Sequence, residues 1–196
     1  MSFKLFGTKI YVSFFFCAVF TVMLAFDRTG LILPTFFAVL AHETGHIFAM
    51  WLLDCEPKQI RLIPASIQVV SSFSKRYKND IIVALFGPLL NFVLFATLIF
   101  NYFAFKNQLV LYYALLNLIV GVFNSLPVLG LDGGTILYSV LAKRGDNARA
   151  ELTVKLITIV TAIVIMAAAI YFTIKGRFNL SFYIISIYLF IISLIK

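Results

Sequence analysis

Apolar runs of bilayer length, separated by short polar loops, are the feature that most constrains how this sequence folds. A transmembrane helix needs about 17 to 25 predominantly apolar residues, because the hydrocarbon core of a membrane is about 30 Å thick. The sequence therefore predicts an all-α polytopic membrane protein with six transmembrane helices. The six runs lie at residues 10–26, 31–53, 81–105, 109–126, 152–174 and 180–195.

The composition supports the same class of protein. Of the 196 residues, 62% are hydrophobic and 12% are charged, whereas a soluble domain averages about 25% charged residues. No stretch between the runs is polar enough for a soluble domain, so we expect one membrane-embedded domain over residues 1–196. The net charge of +8 does not indicate nucleic-acid binding, because the basic residues form no continuous face.

The basic residues are distributed unequally between the two sides of the predicted membrane domain. With the N-terminus inside, eleven Lys and Arg residues fall in or beside cytoplasmic segments and four fall in outer segments. Membrane proteins carry an excess of Lys and Arg in their cytoplasmic loops. Both termini are therefore predicted to be cytoplasmic.

Two segments depart from the pattern of simple apolar helices. Residues 58–78 are rich in β-branched residues that partly alternate, which favours one or two short interfacial strands with Pro64 at an edge or a turn. An irregular interfacial loop is the alternative. Residues 124–134, NSLPVLGLDGG, include five Gly, Pro or Asp residues within a longer apolar stretch. Because non-helical backbone at membrane depth must be covered by protein or water, we predict a broken fourth helix beside a cavity.

The second apolar run contains HETGH, residues 42–46, and these are the only two histidines of the chain. Residues i and i+4 share one face of a helix, so His42 and His46 can direct their imidazoles at one point. Glu43 is rotated by about 100° and can lean over that point. This is the HExxH arrangement, with two nitrogen ligands for zinc and a carboxylate beside the bound water.

A catalytic zinc usually has three protein ligands and one open position, and the sequence has no third histidine. Glu43 and Asp132 are the acidic residues that lie within apolar sequence, where a carboxylate is costly unless it has a partner. Asp132 lies in the broken segment, whose backbone can bend toward another helix, and it is the predicted third ligand. Cys55 is a weaker candidate, since it lies roughly two and a half turns beyond His46.

These side chains are sufficient for peptide hydrolysis. Zinc lowers the pKa of bound water to about 7, and Glu43 would take a proton from the water and pass it to the leaving amine. The alternatives are a Ser–His–Asp arrangement with Ser125, a histidine pair that only hydrogen-bonds between helices, and a non-catalytic zinc-binding transporter or scaffold. Glu43 argues against the last, because a transport site gains nothing from a carboxylate beside an open metal position.

HETGH and NSLPVLGLDGG together resemble the site-2 protease family of intramembrane zinc metalloproteases. That family carries HExxH on one span and NxxPxxxxDG on a later span, and Asn124, Pro127, Asp132 and Gly133 match the second pattern. GPLLN, residues 87–91, is similar to the GxxxN element of the family. The resemblance covers most of the chain.

The resemblance implies one catalytic Zn²⁺ bound by His42, His46 and Asp132, with Glu43 as the acid/base. It also implies that residues near the scissile bond contact or orient the substrate, and the candidates are Asn124, Pro127, Gly87 and Asn91. Asn124 could instead cap the fourth helix, and Gly87 could serve helix packing.

The substrates of this family are membrane-spanning or membrane-anchored proteins, including transcription and sigma factors. A helical substrate must unwind before hydrolysis, and an extended segment could pair with a strand edge near Ile67 and Val69. The pattern is most similar to the compact sporulation proteases that process a pro-sigma factor. We therefore expect a bacterial cell membrane and a membrane-bound regulatory partner, although no CBS or PDZ domain is expected within these 196 residues.

Overall fold

The computed structural model describes residues 2–5, 8–55, 57–63, 66–71 and 77–195. Within these ranges the chain forms four strands and seven helices. The strands are β1 (Ser2–Leu5), β2 (Thr8–Val12), β3 (Pro57–Ile63) and β4 (Ser66–Ser71). The helices are α1 (Phe14–Ala25), α2 (Ile32–Leu52), α3 (Tyr77–Phe105), α4 (Gln108–Asn124), α5 (Asp132–Ala142), α6 (Asn147–Ile174) and α7 (Leu180–Ile195).

The chain divides into two compact units. The first, Met1–Phe123, contains the four strands, α1, α2, α3 and nearly all of α4. The second, Asn124–Lys196, contains α5, α6 and α7. The expectation of a single membrane-embedded domain stays a prediction.

The four strands form one sheet in the order β1-β2-β3-β4. The pairs β1–β2 and β3–β4 are antiparallel, and β2–β3 is parallel. β3 and β4 lie where the alternating pattern predicted one or two strands, while Pro64 and the end of that segment at 72–76 lie outside the described residues. The first two strands were not predicted. Ile10–Val12 were assigned to the first transmembrane span, but they lie in β2 and pair with β3.

Two helices, α3 with 29 residues and α6 with 28, are long and apolar enough to cross a membrane. α4 and α7 are apolar but shorter. Helix α1 starts only after its N-cap, Ser13, and has 12 residues. The predicted span at 10–26 is therefore wrong in its extent. The break in the fourth run is confirmed, since α4 ends at Asn124 and α5 begins at Asp132.

Helix α6 exposes large apolar side chains and buries mainly small ones. Val160, Ile163 and Val164 are all more than half exposed, which would be unfavourable in water but suits contact with lipid. Four of its five buried residues are alanine or threonine, small residues that allow close helix packing in membranes. The buried positions are Ala150, Val154, Thr158, Ala162 and Ala169.

Candidate metal centre

HETGH lies in the middle of α2, on the face that packs against α3. The buried residues of α2 recur at helical spacing: Pro34, Ala38, His42, Gly45, His46, Ala49 and Met50. A Cβ at Gly45 would clash with the backbone carbonyl oxygen of Phe86 and lie 2.9 Å from its carbon. The glycine of HETGH therefore lets the two helix backbones approach closely, which brings both histidines against α3.

The backbone of α3 orients the imidazole of His46. His46 is 8% exposed, and its Nδ1 lies 2.8 Å from the carbonyl oxygen of Val83. A carbonyl oxygen can only accept, so Nδ1 carries the proton and donates it. In a neutral imidazole the other nitrogen then has the lone pair, and Nε2 is the ligand atom.

A side chain of α3 orients the imidazole of His42. Its Nδ1 lies 2.8 Å from Oδ1 of Asn91, which is fully buried. The Nδ2 group of Asn91 donates to the Ala38 carbonyl oxygen at 3.0 Å and to Oδ1 of Asn117 at 2.9 Å. Because both amide protons are used in this way, Oδ1 faces His42 as an acceptor. His42 therefore also donates from Nδ1 and keeps its lone pair on Nε2.

The two Nε2 atoms lie 3.1 Å apart. If both carry lone pairs, as the Nδ1 contacts require, this arrangement is favourable when a cation lies between them. Two imidazole nitrogens bound at about 2.0–2.1 Å to one tetrahedral zinc are about 3.3 Å apart. The histidine pair thus fits a zinc ion in tautomer and in spacing.

Gly87 provides the space beside the two imidazoles. A Cβ there would lie 2.5 Å from Nε2 of His46 and 2.8 Å from Cε1 of His42, so glycine alone leaves this volume open. Glu43 follows His42 on α2 and is half-buried. The sequence placed Gly87 and Asn91 among the candidate substrate contacts. The structure places both beside the histidines, and contact with substrate stays a prediction.

The second unit carries the segment between α4 and α5, and buried interactions hold it in a compact turn. Val128 is fully buried and packs against Ala162 and Leu189. The backbone N–H of Leu129 donates to the Thr158 hydroxyl at 2.8 Å. Gly130 has a φ of +85°, a left-handed conformation that favours glycine. The fourth run is therefore interrupted by an ordered turn.

Asp132 is the first residue of α5, in a turn where two backbone segments nearly touch. A Cβ at Gly133 would lie 2.5 Å from the Leu126 carbonyl oxygen, and one at Gly134 would lie 2.6 Å from the Val128 carbonyl carbon. The two glycines that follow Asp132 therefore allow α5 to begin against the preceding turn. A carboxylate in the first turn is also favoured by the helix dipole.

His42 and His46 lie in the first unit and Asp132 lies in the second, and their binding to one metal ion stays a prediction. Of the other residues singled out in the sequence, Asn124 ends α4 and is half-buried, and Pro127 is exposed in the turn. Ile67 and Val69 lie in β4, paired with Leu62 and Ile60 of β3. Sequence reasoning missed Val83 and Asn117. For Asn117 a signal was present, since an amide within an apolar helix needs a partner.

Comparisons with known proteins point to one class. Residues 101–168 match the model of Peptidase family M50, a segment that contains Asp132. A zinc metalloprotease of Methanocaldococcus jannaschii is 30% identical over 115 residues, which cover 56% of this chain and 33% of that protein. The chain thus spans about a third of the length of the curated relative it matches. The solved structure of a site-2 protease from the same organism aligns with a TM-score of 0.69 and 21% identity, and covers 98% of this chain and 94% of that one.

These similarities are to a peptidase family, M50, and to the fold of a site-2 protease. The resemblance to the site-2 protease family that two short motifs indicated is confirmed by the family model, the relative and the fold together. The similar protein of Methanocaldococcus jannaschii is a zinc metalloprotease, which supports the predicted Zn²⁺ cofactor.

Proposed function

We propose that this chain is an intramembrane zinc endopeptidase that hydrolyses peptide bonds of membrane-spanning protein substrates. The observation that carries the proposal is the buried imidazole pair of His42 and His46, with both Nδ1 atoms donating and both Nε2 atoms 3.1 Å apart. Asp132, which begins α5 within apolar sequence, is the proposed third ligand. The resemblance to site-2 proteases supports the same assignment.

The chemistry follows from the side chains and the metal they would hold. When bound, zinc supplies a Lewis acid and a means of activating water at neutral pH. Glu43 is not a ligand in this assignment, so its carboxylate is available to accept the proton of the attacking water. The carboxyl group then returns that proton to the leaving amine, which completes general acid/base catalysis of peptide hydrolysis.

Exchanging the carboxylate of Glu43 for an amide tests this assignment. Glu43→Gln keeps the size of the side chain but cannot accept a proton, so we expect full zinc content and loss of cleavage of a co-expressed membrane substrate. Glu151→Gln is the matched control, because the same change at an exposed position of α6 should leave cleavage unchanged. Undiminished proteolysis by Glu43→Gln would reject the role of Glu43.

The same experiment separates a protease from a zinc-binding transporter or scaffold. A zinc-binding transporter or scaffold should bind zinc but show no cleavage, both in the wild type and in Glu43→Gln. Asp132→Asn tests the third ligand, and we expect it to retain markedly less zinc in elemental analysis after purification. Full zinc occupancy in Asp132→Asn would remove that residue from the ligand set.

An extended substrate could be held by β4. β4 is the last strand in the sheet order and pairs with β3, so an added strand could use its other edge. Ile67 and Val69 are the proposed contact positions there, and Asn91, Gly87, Asn124 and Pro127 are the proposed contacts near the scissile bond. Proline substitutions at Ile67 and Val69 should lower cleavage with little effect on zinc, and unaltered cleavage would contradict the pairing.

The cellular setting is also part of the proposal. Six membrane-spanning segments in a bacterial cell membrane are proposed, and the asymmetry of Lys and Arg supports a cytoplasmic location for both termini. A membrane-bound pro-sigma factor or a similar anchored regulator is the proposed substrate, controlled by a membrane-bound partner. Comparing the membrane fragments released by the wild type and by Glu43→Gln would identify the substrate, and the absence of any difference would contradict proteolysis.

A further inference from the structure

Two asparagines connect His42 to the backbone of α4 through buried hydrogen bonds. Asn91 is fully buried, and Asn117 is 4% exposed. Asn117 donates from Nδ2 to the carbonyl oxygen of Tyr113 at 2.9 Å, and its Oδ1 accepts from Asn91 at 2.9 Å. His42 thus donates to Asn91, Asn91 donates to Asn117, and Asn117 donates to a backbone carbonyl. Side-chain amides are scarce in apolar helices, because each needs its partners.

The end of this connection fixes its direction. The Tyr113 carbonyl can only accept, so the Asn117 amide must place its N–H₂ there and its oxygen toward Asn91. The Asn91 amide must then place its N–H₂ toward Asn117 and Ala38, and its oxygen toward His42. If the Asn91 amide rotated by half a turn, it would lose two acceptors and present a donor to Nδ1 of His42.

Helix packing brings Asn117 within reach of Asn91. Ala114, Asn117 and Gly121 are the buried residues of α4 and share one face. A Cβ at Gly121 would lie 3.2 Å from Cβ of Asn91 and 3.0 Å from the Phe92 ring. The small residues on either side of Asn117 therefore hold α4 close to α3 at this point.

We propose that Asn117 is a positioning residue of the metal centre, which orients the Asn91 amide so that His42 presents the lone pair of Nε2. This inference rests on the proposed function for its purpose, but its geometry lies within α2, α3 and α4. His46 needs no such connection, because the Val83 carbonyl fixes its tautomer directly. The two histidines should therefore respond differently when Asn117 is replaced.

The first test reads the tautomers themselves. With only two histidines in the chain, imidazole ¹⁵N resonances of the full-length, metal-free protein in detergent can be resolved and assigned. In the wild type Nδ1 of each imidazole should be protonated, because each faces an acceptor. In Asn117→Leu, His42 should become a mixture of tautomers while His46 stays unchanged as an internal reference. An unaltered His42 signal would overturn the proposal.

The second test measures zinc affinity by competition with a chelator. Loss of an outer partner of a ligand typically costs about 10–100-fold in metal affinity, and we expect Asn117→Leu to cost about 10-fold. Asn101→Leu, the same change at an exposed position of α3, should have no effect. Asn91→Asp/Asn117→Leu should recover most of the affinity. Either oxygen of a carboxyl group at position 91 can accept from His42, while the other carries the proton and donates to the Ala38 carbonyl.

The recovery distinguishes orientation from packing. If Asn117 only filled space, Asn91→Asp would not compensate for Asn117→Leu, and the proposal would be wrong. Failure of the proposed function has a different signature: no substrate cleavage by the wild type, with the His42 tautomer still dependent on Asn117. The tautomer measurement does not require zinc or activity, so the two conclusions can fail separately.

Discussion

The imidazoles of His42 and His46 are oriented by hydrogen bonds to their Nδ1 atoms, whereas Asp132 is placed by the close approach of two backbone segments. In the first region, α2 and α3 would be helices without these bonds, and the bonds determine how the side chains point. In the second region, the turn between α4 and α5 exists only if the residues after Asp132 lack side chains.

The difference implies that metal binding and stability are separable at the histidine pair and coupled at the turn that places Asp132. A change near the histidines can disturb the ligands while the helix pair remains intact, since apolar contacts such as Met50 with Val83 hold it together. A change at the glycines after Asp132 must disturb the turn itself. Substitutions at Gly134 and Gly87 test this contrast.

The largest effect is expected from Gly134→Ala. The new Cβ would clash with the Val128 carbonyl oxygen and lie 2.6 Å from its carbon, and backbone atoms cannot move aside as a side chain can. Overpacking costs about 1–3 kcal/mol, and we expect the upper end of that range. Thermal unfolding in detergent should shift to lower temperature, and cleavage should be lost with it.

Val140→Ala is the control for this variant, because Val140 lies on the same helix with its side chain exposed. It should leave both the unfolding temperature and cleavage near the wild-type values. If Gly134→Ala were as stable and as active as the wild type, the close approach would not be what positions Asp132.

A smaller and more selective effect is expected from Gly87→Ala. The new Cβ would meet the ends of two side chains, His46 and His42, and alanine is the better helix former by about 1 kcal/mol. We therefore expect an unchanged or slightly raised unfolding temperature, with zinc affinity reduced at least about 10-fold, as when a ligand loses its support. Chelator competition and thermal unfolding on the same sample would measure both.

Leu85→Ala, at an exposed position of α3, should alter neither quantity greatly. If Gly87→Ala lowered the unfolding temperature as much as Gly134→Ala, stability and metal binding would be coupled in both regions. The contrast drawn between them would then be wrong.

The same contrast explains what the sequence could predict. The spacing of HETGH places His42 and His46 on one helix face, and the glycine-rich turn ends the fourth run, so local patterns suffice for both. Whether Nδ1 or Nε2 of each histidine faces a neighbour depends on how α2 packs against α3. The roles of Val83 and Asn117 therefore emerge only from the folded chain.

The sheet shows the same limit. Alternation predicted strands in the region of β3 and β4, which are adjacent and antiparallel. The parallel pairing of β2 with β3 joins Ile10 to Ile60, and no local pattern specifies a partner so distant in sequence. The N-terminal residues of the first run were consequently assigned to a helix, although they form a strand.

The smallest effect is expected at the start of α2, where Asp27 closes the preceding loop. Its Oδ2 accepts from the backbone N–H of Ile32, and its Oδ1 accepts from the N–H and the hydroxyl of Thr29 and the N–H of Gly30. These bonds, first that of Ile32 and then that of the Thr29 hydroxyl, hold the pKa of the Asp27 carboxyl below its ordinary value of 3.8.

A lowered pKa in the folded state means that the carboxylate stabilises the fold above pH 3.8 and that this contribution disappears as the pH falls through the lower, folded-state pKa. Asp27→Asn should therefore weaken the acid dependence of unfolding, with only a small loss of stability at pH about 7, since Asp27 is only half-buried. Thr29→Val removes the hydroxyl donor alone and should give an intermediate acid dependence.

Because the effect acts on the start of α2, zinc affinity at neutral pH should stay within about twofold of the wild type, well below the loss expected when a ligand's outer partner is removed. A large loss of zinc in Asp27→Asn would show that the start of α2 and the histidine pair are coupled.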